Sequence, residues 1–248
     1  MTLRPSTPSP SPIEDHVEAA GPDPSWGHLY KAGGVSAMLF VLLVLIPVVL
    51  VFAAPVPPVD GRALLPYIAA HKVVYLTELV CFVGLSVPAL VVFSTVAVAL
   101  KGANKSVAAI GGLFGVVSEV IALALGSSPQ SLHGGLVVLS NSYTTAQTGA
   151  EKAGLISAAE ALIAATNAVS WAGILTASGI LLLSAVMRRG YFGLALAVFG
   201  VLTGATGIVS EVLRPMIGPA YLIYGLMLPI WFALVGWKLL RFGRRGPT

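Results

Sequence analysis

Residues 33–54 read GGVSAMLFVLLVLIPVVLVFAA and hold no ionisable side chain. A helix needs about 20 apolar residues to cross a hydrocarbon core about 30 Å thick, so this run reads as a membrane span. Uncharged stretches of similar length recur at 79–100, 120–150, 161–187, 190–210 and 215–237. The spacing predicts helices over 33–54, 73–100, 106–126, 161–187, 191–213 and 219–240. The chain therefore reads as all-α, an integral membrane bundle of six transmembrane helices.

Composition agrees. Hydrophobic residues make up 56% of the 248 positions and charged residues 10%, against about 25% charged in a soluble domain. The uncharged stretches leave no room for a separate soluble domain, so residues 28–241 form one transmembrane domain. Before it, residues 1–27 carry Pro5, Pro8, Pro10, Pro12, Pro22 and Pro24 among polar and acidic residues, a composition too poor in apolar surface to fold. They read as a disordered Pro-rich cytoplasmic tail, and residues 242–248 as a short basic cytoplasmic tail. The first apolar run is too long for a secretory leader and is taken as a true span.

Charge placement predicts orientation. With the N-terminus inside, ten of the 14 Lys and Arg (Arg4, Lys31, Lys101, Lys105, Arg188, Arg189, Lys238, Arg241, Arg244, Arg245) fall inside. Arg62, Lys72, Lys152 and Arg214 fall outside. This is the positive-inside asymmetry, with both termini cytoplasmic. The cations sit at helix ends and form no stripe, so the net charge of +4 points to a lipid bilayer as partner and not to nucleic acid. The lone Cys81 excludes a disulfide framework and a Cys-based metal motif.

The long connection 127–160 is predicted to lie outside, and it is rich in polar uncharged residues from Gln130 to Thr148. Its end, from Glu151 to Glu160, reads as a helical stretch lying along the interface. Spans three and five carry an echo: GLFGVVSEVI at 112–121 and GATGIVSEVL at 204–213 agree at six of ten positions, including Ser118-Glu119 and Ser210-Glu211. Either a two-helix hairpin is duplicated, as a parallel repeat, or two Gly- and Val-rich helices resemble each other by composition. Gly111 with Gly115 and Gly200 with Gly204 are small-xxx-small pairs that read as helix packing seams, within the chain or in a homo- or hetero-oligomer.

Chemistry is carried by charges within the membrane, because a charged side chain there costs roughly 2.5–3.5 kcal/mol unless it is partnered or functional. Glu78, Glu119, Glu160 and Glu211 all fall in the outer half of the predicted topology, together with His71, Lys72, His133 and Arg214. They read as an outward-facing polar pocket binding a proton, a cation or a cationic small molecule. The bland reading makes them structural, with Glu211 paired to Arg214 one turn away and Glu78 paired to Lys72 or His71. No pattern for haem, zinc, a serine nucleophile or a phosphate loop is present, so no cofactor or metal is predicted and a membrane enzyme working at the outer interface through His71, His133 and glutamates is the less favoured reading. An accessory or sensory subunit acting through helix–helix contacts is the other alternative.

The sequence resembles the small six-helix bacterial membrane proteins grouped as domain-of-unknown-function family 4386. The likeness covers most of 28–240 and rests on four features: His28-Leu-Tyr30-Lys31-Ala-Gly-Gly34 opening the first span, Lys72 before an early acid Glu78, a polar loop before span four, and Arg188-Arg189-Gly190-Tyr191-Phe192-Gly193-Leu194 turning into span five. It implies six helices in a bacterial inner membrane and no assigned activity.

Overall fold

The structure is a computed structural model that describes residues 22–125 and 132–244. Residues 1–21 of the predicted tail, 245–248 of the basic tail, and Gln130 with its neighbours lie outside the described residues. The described chain is all-helical, and six helical runs are long and apolar enough to cross a membrane: Pro24–Leu50, Lys72–Leu100, Lys105–Ala124, Gly149–Met187, Leu194–Val212 and Arg214–Gly243.

The helices are α1 (Gly27–Leu50), α2 (Gly61–Ala70), α3 (Lys72–Gly84), α4 (Ser86–Leu100), α5 (Lys105–Leu125), α6 (Gly134–Thr145), α7 (Gly149–Asn167), α8 (Trp171–Met187), α9 (Leu194–Val212), α10 (Arg214–Ile217) and α11 (Tyr221–Gly243). The predicted second span is two helices. Pro88 has no N–H to offer the Gly84 carbonyl and its ring crowds that turn, so the chain breaks at Leu85. The predicted fourth span lies within the run Gly149–Met187 but is interrupted, because α7 stops at Asn167 and the Ser170 hydroxyl starts α8 afresh by accepting from Gly173 N at 3.1 Å.

The polar connection holds more structure than a loop with a helical end. Thr148 Oγ1 accepts from Glu151 N at 3.2 Å while Glu151 Oε2 accepts from Thr148 N at 3.1 Å, a capping box that starts α7 well before residue 161. Together α2, α6 and α7 pack with α3 around Leu64, Leu65, Ile68, Tyr75, Leu132, Leu136, Ala159 and Ile163. This small second core forms a cap at one end of the bundle.

The bundle itself is a closed ring in the order α1, α4, α5, α8, α9, α11, each helix packing on the next and α11 returning to α1. Its core has an aromatic centre: Phe40 and Phe232 stack with centroids 3.8 Å apart, and Phe93 and Trp231 pack beside them. Trp231 Nε1 donates to Ser184 Oγ at 3.1 Å, which satisfies the indole within an apolar layer. The glycine seams lie inside this ring. A methyl on Gly115 would strike the Phe93 ring, one on Gly200 would strike Ser184, and one on Gly204 would lie 2.7 Å from the Ala177 carbonyl oxygen. Their close approach is to helices of the same chain. At the other end of the ring from the cap, the turn between α8 and α9 passes through Gly193 at φ 93°, a left-handed conformation that glycine adopts without a Cβ clash.

That end carries the clustered Lys and Arg, and we call it the basic end. Residues 22–27, expected in the disordered tail, are ordered here. Asp23 caps a short turn at Pro24–Trp26 by accepting from Ser25 N and Oγ, and it pairs with Lys101 Nζ at 3.1 Å. The Lys101 ammonium also sits 5.0 Å from the centre of the Trp26 ring. Pro24 in the first turn has its φ preset for helix, so this segment loses little entropy on ordering. The Ser25 hydroxyl and then the Lys101 ammonium hold the Asp23 carboxyl down to about 2 from an ordinary 3.8. A lowered folded value means the contribution is fully present above pH about 4 and is lost as pH falls through about 2. We therefore expect Trp26 fluorescence to be constant from neutral pH to about 4 and to change below it, with Asp23→Asn showing the released signal at every pH.

Candidate functional site

The echoed Ser-Glu pairs lie on α5 and α9, the two helices that flank α8 in the ring. Both glutamates point inward, Glu119 at 4% exposure and Glu211 at 3%, and both line one cavity of ≈ 110 Å³. Ser86 at the start of α4, Gly173 and Thr176 on the first turns of α8, and Tyr221 and Tyr224 on α11 complete its polar and aromatic wall. Phe40 and Phe232 form its floor on the side of the basic end.

The carboxyl groups are held differently. Glu119 is met by hydroxyls: Ser86 hydrogen-bonds to it, and Thr176 Oγ1 lies 3.4 Å from Glu119 Oε1 and 2.9 Å from Ser118 Oγ. Ser118 Oγ in turn donates to the Gly115 carbonyl at 2.6 Å. Among the described residues no cation is paired with Glu119. Glu211 accepts from the Tyr221 hydroxyl at 2.5 Å and faces Arg214 Nη1 at 3.5 Å, both partners of that ion pair being buried. The Arg214 plane also lies over the Tyr221 ring, 5.4 Å from its centre. Gly173 makes room for this group, since any Cβ there would collide with the Glu211 carboxyl.

The structure thus gathers Glu119, Glu211 and Arg214 and leaves the other candidates elsewhere. Glu78 is buried on α3 at 4% exposure with Oε2 unpartnered among the described residues, outside the lining of this cavity. The pairing of Lys72 with Glu78 is not formed. Six residues at about 100° each put the two side chains a third of a turn apart, and Lys72 Nζ donates instead to Asn141 Oδ1 at 3.0 Å. Glu160 is exposed on the cap and accepts from Gly61 N at 2.6 Å, closing the N-terminus of α2. His71 caps the end of α2 and leans on Tyr67, and His133 Nδ1 accepts from Gly135 N at 3.0 Å to start α6. Among the described residues no three of His, Cys, Asp and Glu gather as a metal site.

Ser86, Gly173, Thr176, Tyr221 and Tyr224 were not singled out as site residues by the sequence. Tyr221 reads there as an interfacial aromatic, and nothing marks Gly173 among 27 glycines. No family model, no curated protein and no solved structure matches the chain.

Proposed function

We propose that this is a multi-pass membrane protein that takes up a proton, an inorganic cation or a small organic cation at Glu119, with Glu211 held by Arg214 and Tyr221 as the fixed neighbour of that site. One observation carries the reading: two buried carboxyls line a single cavity, and only one of them, Glu211, is paired with a guanidinium among the described residues. Two carboxylates at −1 each and one arginine at +1 leave a formal charge of −1, which a bound cation or proton would neutralise. Such groups within a span are costly and commonly mark ion or substrate routes. The hydroxyls of Ser86 and Thr176 supply neutral ligands beside Glu119, suited to a cation that sheds part of its water.

The test uses purified protein in weakly buffered detergent, with proton release measured on adding Na⁺, K⁺ or methylammonium in turn. Release is expected with at least one of the three in the wild type and absent in Glu119→Gln. Wild-type release from the variant would refute the assignment.

We propose further that both termini face the cytoplasm of a bacterium and that the cap faces outward. The excess of Lys and Arg at the basic end supports the orientation, and the resemblance to domain-of-unknown-function family 4386 supports an inner membrane. Reporters fused after Lys105 and after Arg189 should read cytoplasm, and reporters placed within 132–150 should read exterior. An exterior signal after Arg189 would reverse this orientation.

A further inference from the structure

A second concave feature lies at the basic end, far from the carboxyl cavity, where α5, α8 and α9 come together in a groove of ≈ 450 Å³. Arg188 and Arg189 at the end of α8 and Asn104 at the start of α5 supply its polar rim, and Val107, Ala185 and Leu194 its apolar wall. Asn104 Oδ1 is committed to Val107 N at 3.0 Å as the helix cap, which leaves its amide N–H groups as donors. All the polar side-chain groups left on the rim are therefore donors or cations. Among the described residues neither arginine has a carboxylate partner, and the one acid at this end, Asp23, is taken by Lys101.

The apolar wall continues away from the rim. One turn on from Val107 comes Ile110 and then Leu113, and one turn on from Leu194 comes Val198 and then Leu202, all four exposed along helices that flank α8. A track of exposed aliphatic side chains ending at two arginines that have no carboxylate partner among the described residues is complementary to an amphiphile with an anionic head. Arginine suits phosphate because its planar fork meets two oxygens at once.

We propose that this groove binds an anionic phospholipid, its phosphate on Arg188, Arg189 and the Asn104 amide and an acyl chain along the track between α5 and α9. Charge bias at a helix end needs no concavity and no apolar continuation, whereas this site has both, so the arginines do more than orient the chain in the membrane.

The experiment uses the full chain purified and stripped of lipid in detergent, with phosphatidylglycerol, phosphatidylcholine and inorganic phosphate as separate probes. The readouts are retained lipid by mass spectrometry and the shift of the melting temperature. Phosphatidylglycerol should be retained and should raise the melting temperature; phosphatidylcholine and inorganic phosphate should do neither. Arg188→Gln with Arg189→Gln should weaken phosphatidylglycerol retention roughly 30-fold, at the contribution expected of two arginines near an anionic headgroup. Should that pair impair insertion, Ala185→Trp fills the groove with every charge kept and should also abolish retention. Lys238→Gln with Arg241→Gln removes the same charge from the same end outside the groove and should leave retention intact. The proposal fails if the Lys238/Arg241 pair loses as much as the Arg188/Arg189 pair, if Ala185→Trp retains the lipid, or if inorganic phosphate gives the same shift.

Discussion

Glu211→Gln should lower the melting temperature of the bundle strongly, and Glu119→Gln should leave it nearly unchanged. The two residues share a sequence context and a cavity but not a set of partners. Removing the Glu211 charge leaves Arg214 buried with no carboxylate, and the single carbonyl oxygen of Gln can serve the Tyr221 hydroxyl or Arg214 Nη1 but not both. Breaking one side of a buried ion pair costs about 3–5 kcal/mol, because the remaining charge has lost its compensation. Gln at 119 keeps the shape of Glu and can still accept from one hydroxyl while donating to the other, so Ser86 and Thr176 remain satisfied. Thermal unfolding of both variants in detergent, beside the proton-release assay, separates the outcomes. Activity should disappear in Glu119→Gln at wild-type stability. If Glu119→Gln unfolds the protein and Glu211→Gln is silent, the division of roles is wrong.

The second large effect is expected at Gly179. A methyl there would lie 2.9 Å from the Gly111 carbonyl oxygen and 2.9 Å from Gly115 N, so it meets backbone of α5 and no side chain can turn aside to receive it. Overpacking of this kind costs about 1–3 kcal/mol for a small addition, while alanine regains up to about 1 kcal/mol of helix propensity over glycine. Gly179→Ala should therefore destabilise modestly, and Gly179→Val, which adds bulk and loses that propensity gain, should separate α5 from α8 and destabilise strongly. Gly225→Ala is the matched control. Nothing lies within 4 Å of a Cβ at Gly225 in α11, so this change should be neutral or stabilising by thermal unfolding. A Gly179→Val protein as stable as wild type would show that the two helices are not locked backbone to backbone.

Gly179 also shows where sequence reading stops. The pairs Gly111/Gly115 and Gly200/Gly204 stand out because both members lie on one helix at a fixed spacing, whereas Gly179 works as the partner of Gly111 and Gly115 from α8 and has no spacing of its own to betray it. The six spans were legible because a run of uncharged residues is a property of one segment. Pro88 divides the second span by forbidding a hydrogen bond, while Thr148 and Ser170 start α7 and α8 by offering one, and neither effect shows as a gap in a run of uncharged residues. The two glutamates were legible as costly charges in apolar surroundings, and their echo hinted at a shared setting. Their convergence on α8 was not, since it depends on the order of helices around the ring. Lys72 and Glu78 were linked by proximity in the chain, but the turn of the helix carries them apart.

The stacked pair Phe40 and Phe232 beneath the cavity has an electrical consequence. A membrane potential falls mainly across whatever part of its path is dry, and if the proposed site fills from the cap, the dry part is the packed core from the aromatic layer to the basic end. Glu119 sits six residues from the end of α5, about 9 Å along the helix. A cation that reaches it from the cap would traverse little of the potential, and its binding should be almost insensitive to voltage. Any step that carried the charge past the two rings would bear nearly the whole drop, about 2.3 kcal/mol per unit charge at 100 mV. Binding and passage in this protein should thus respond to voltage as two separate events.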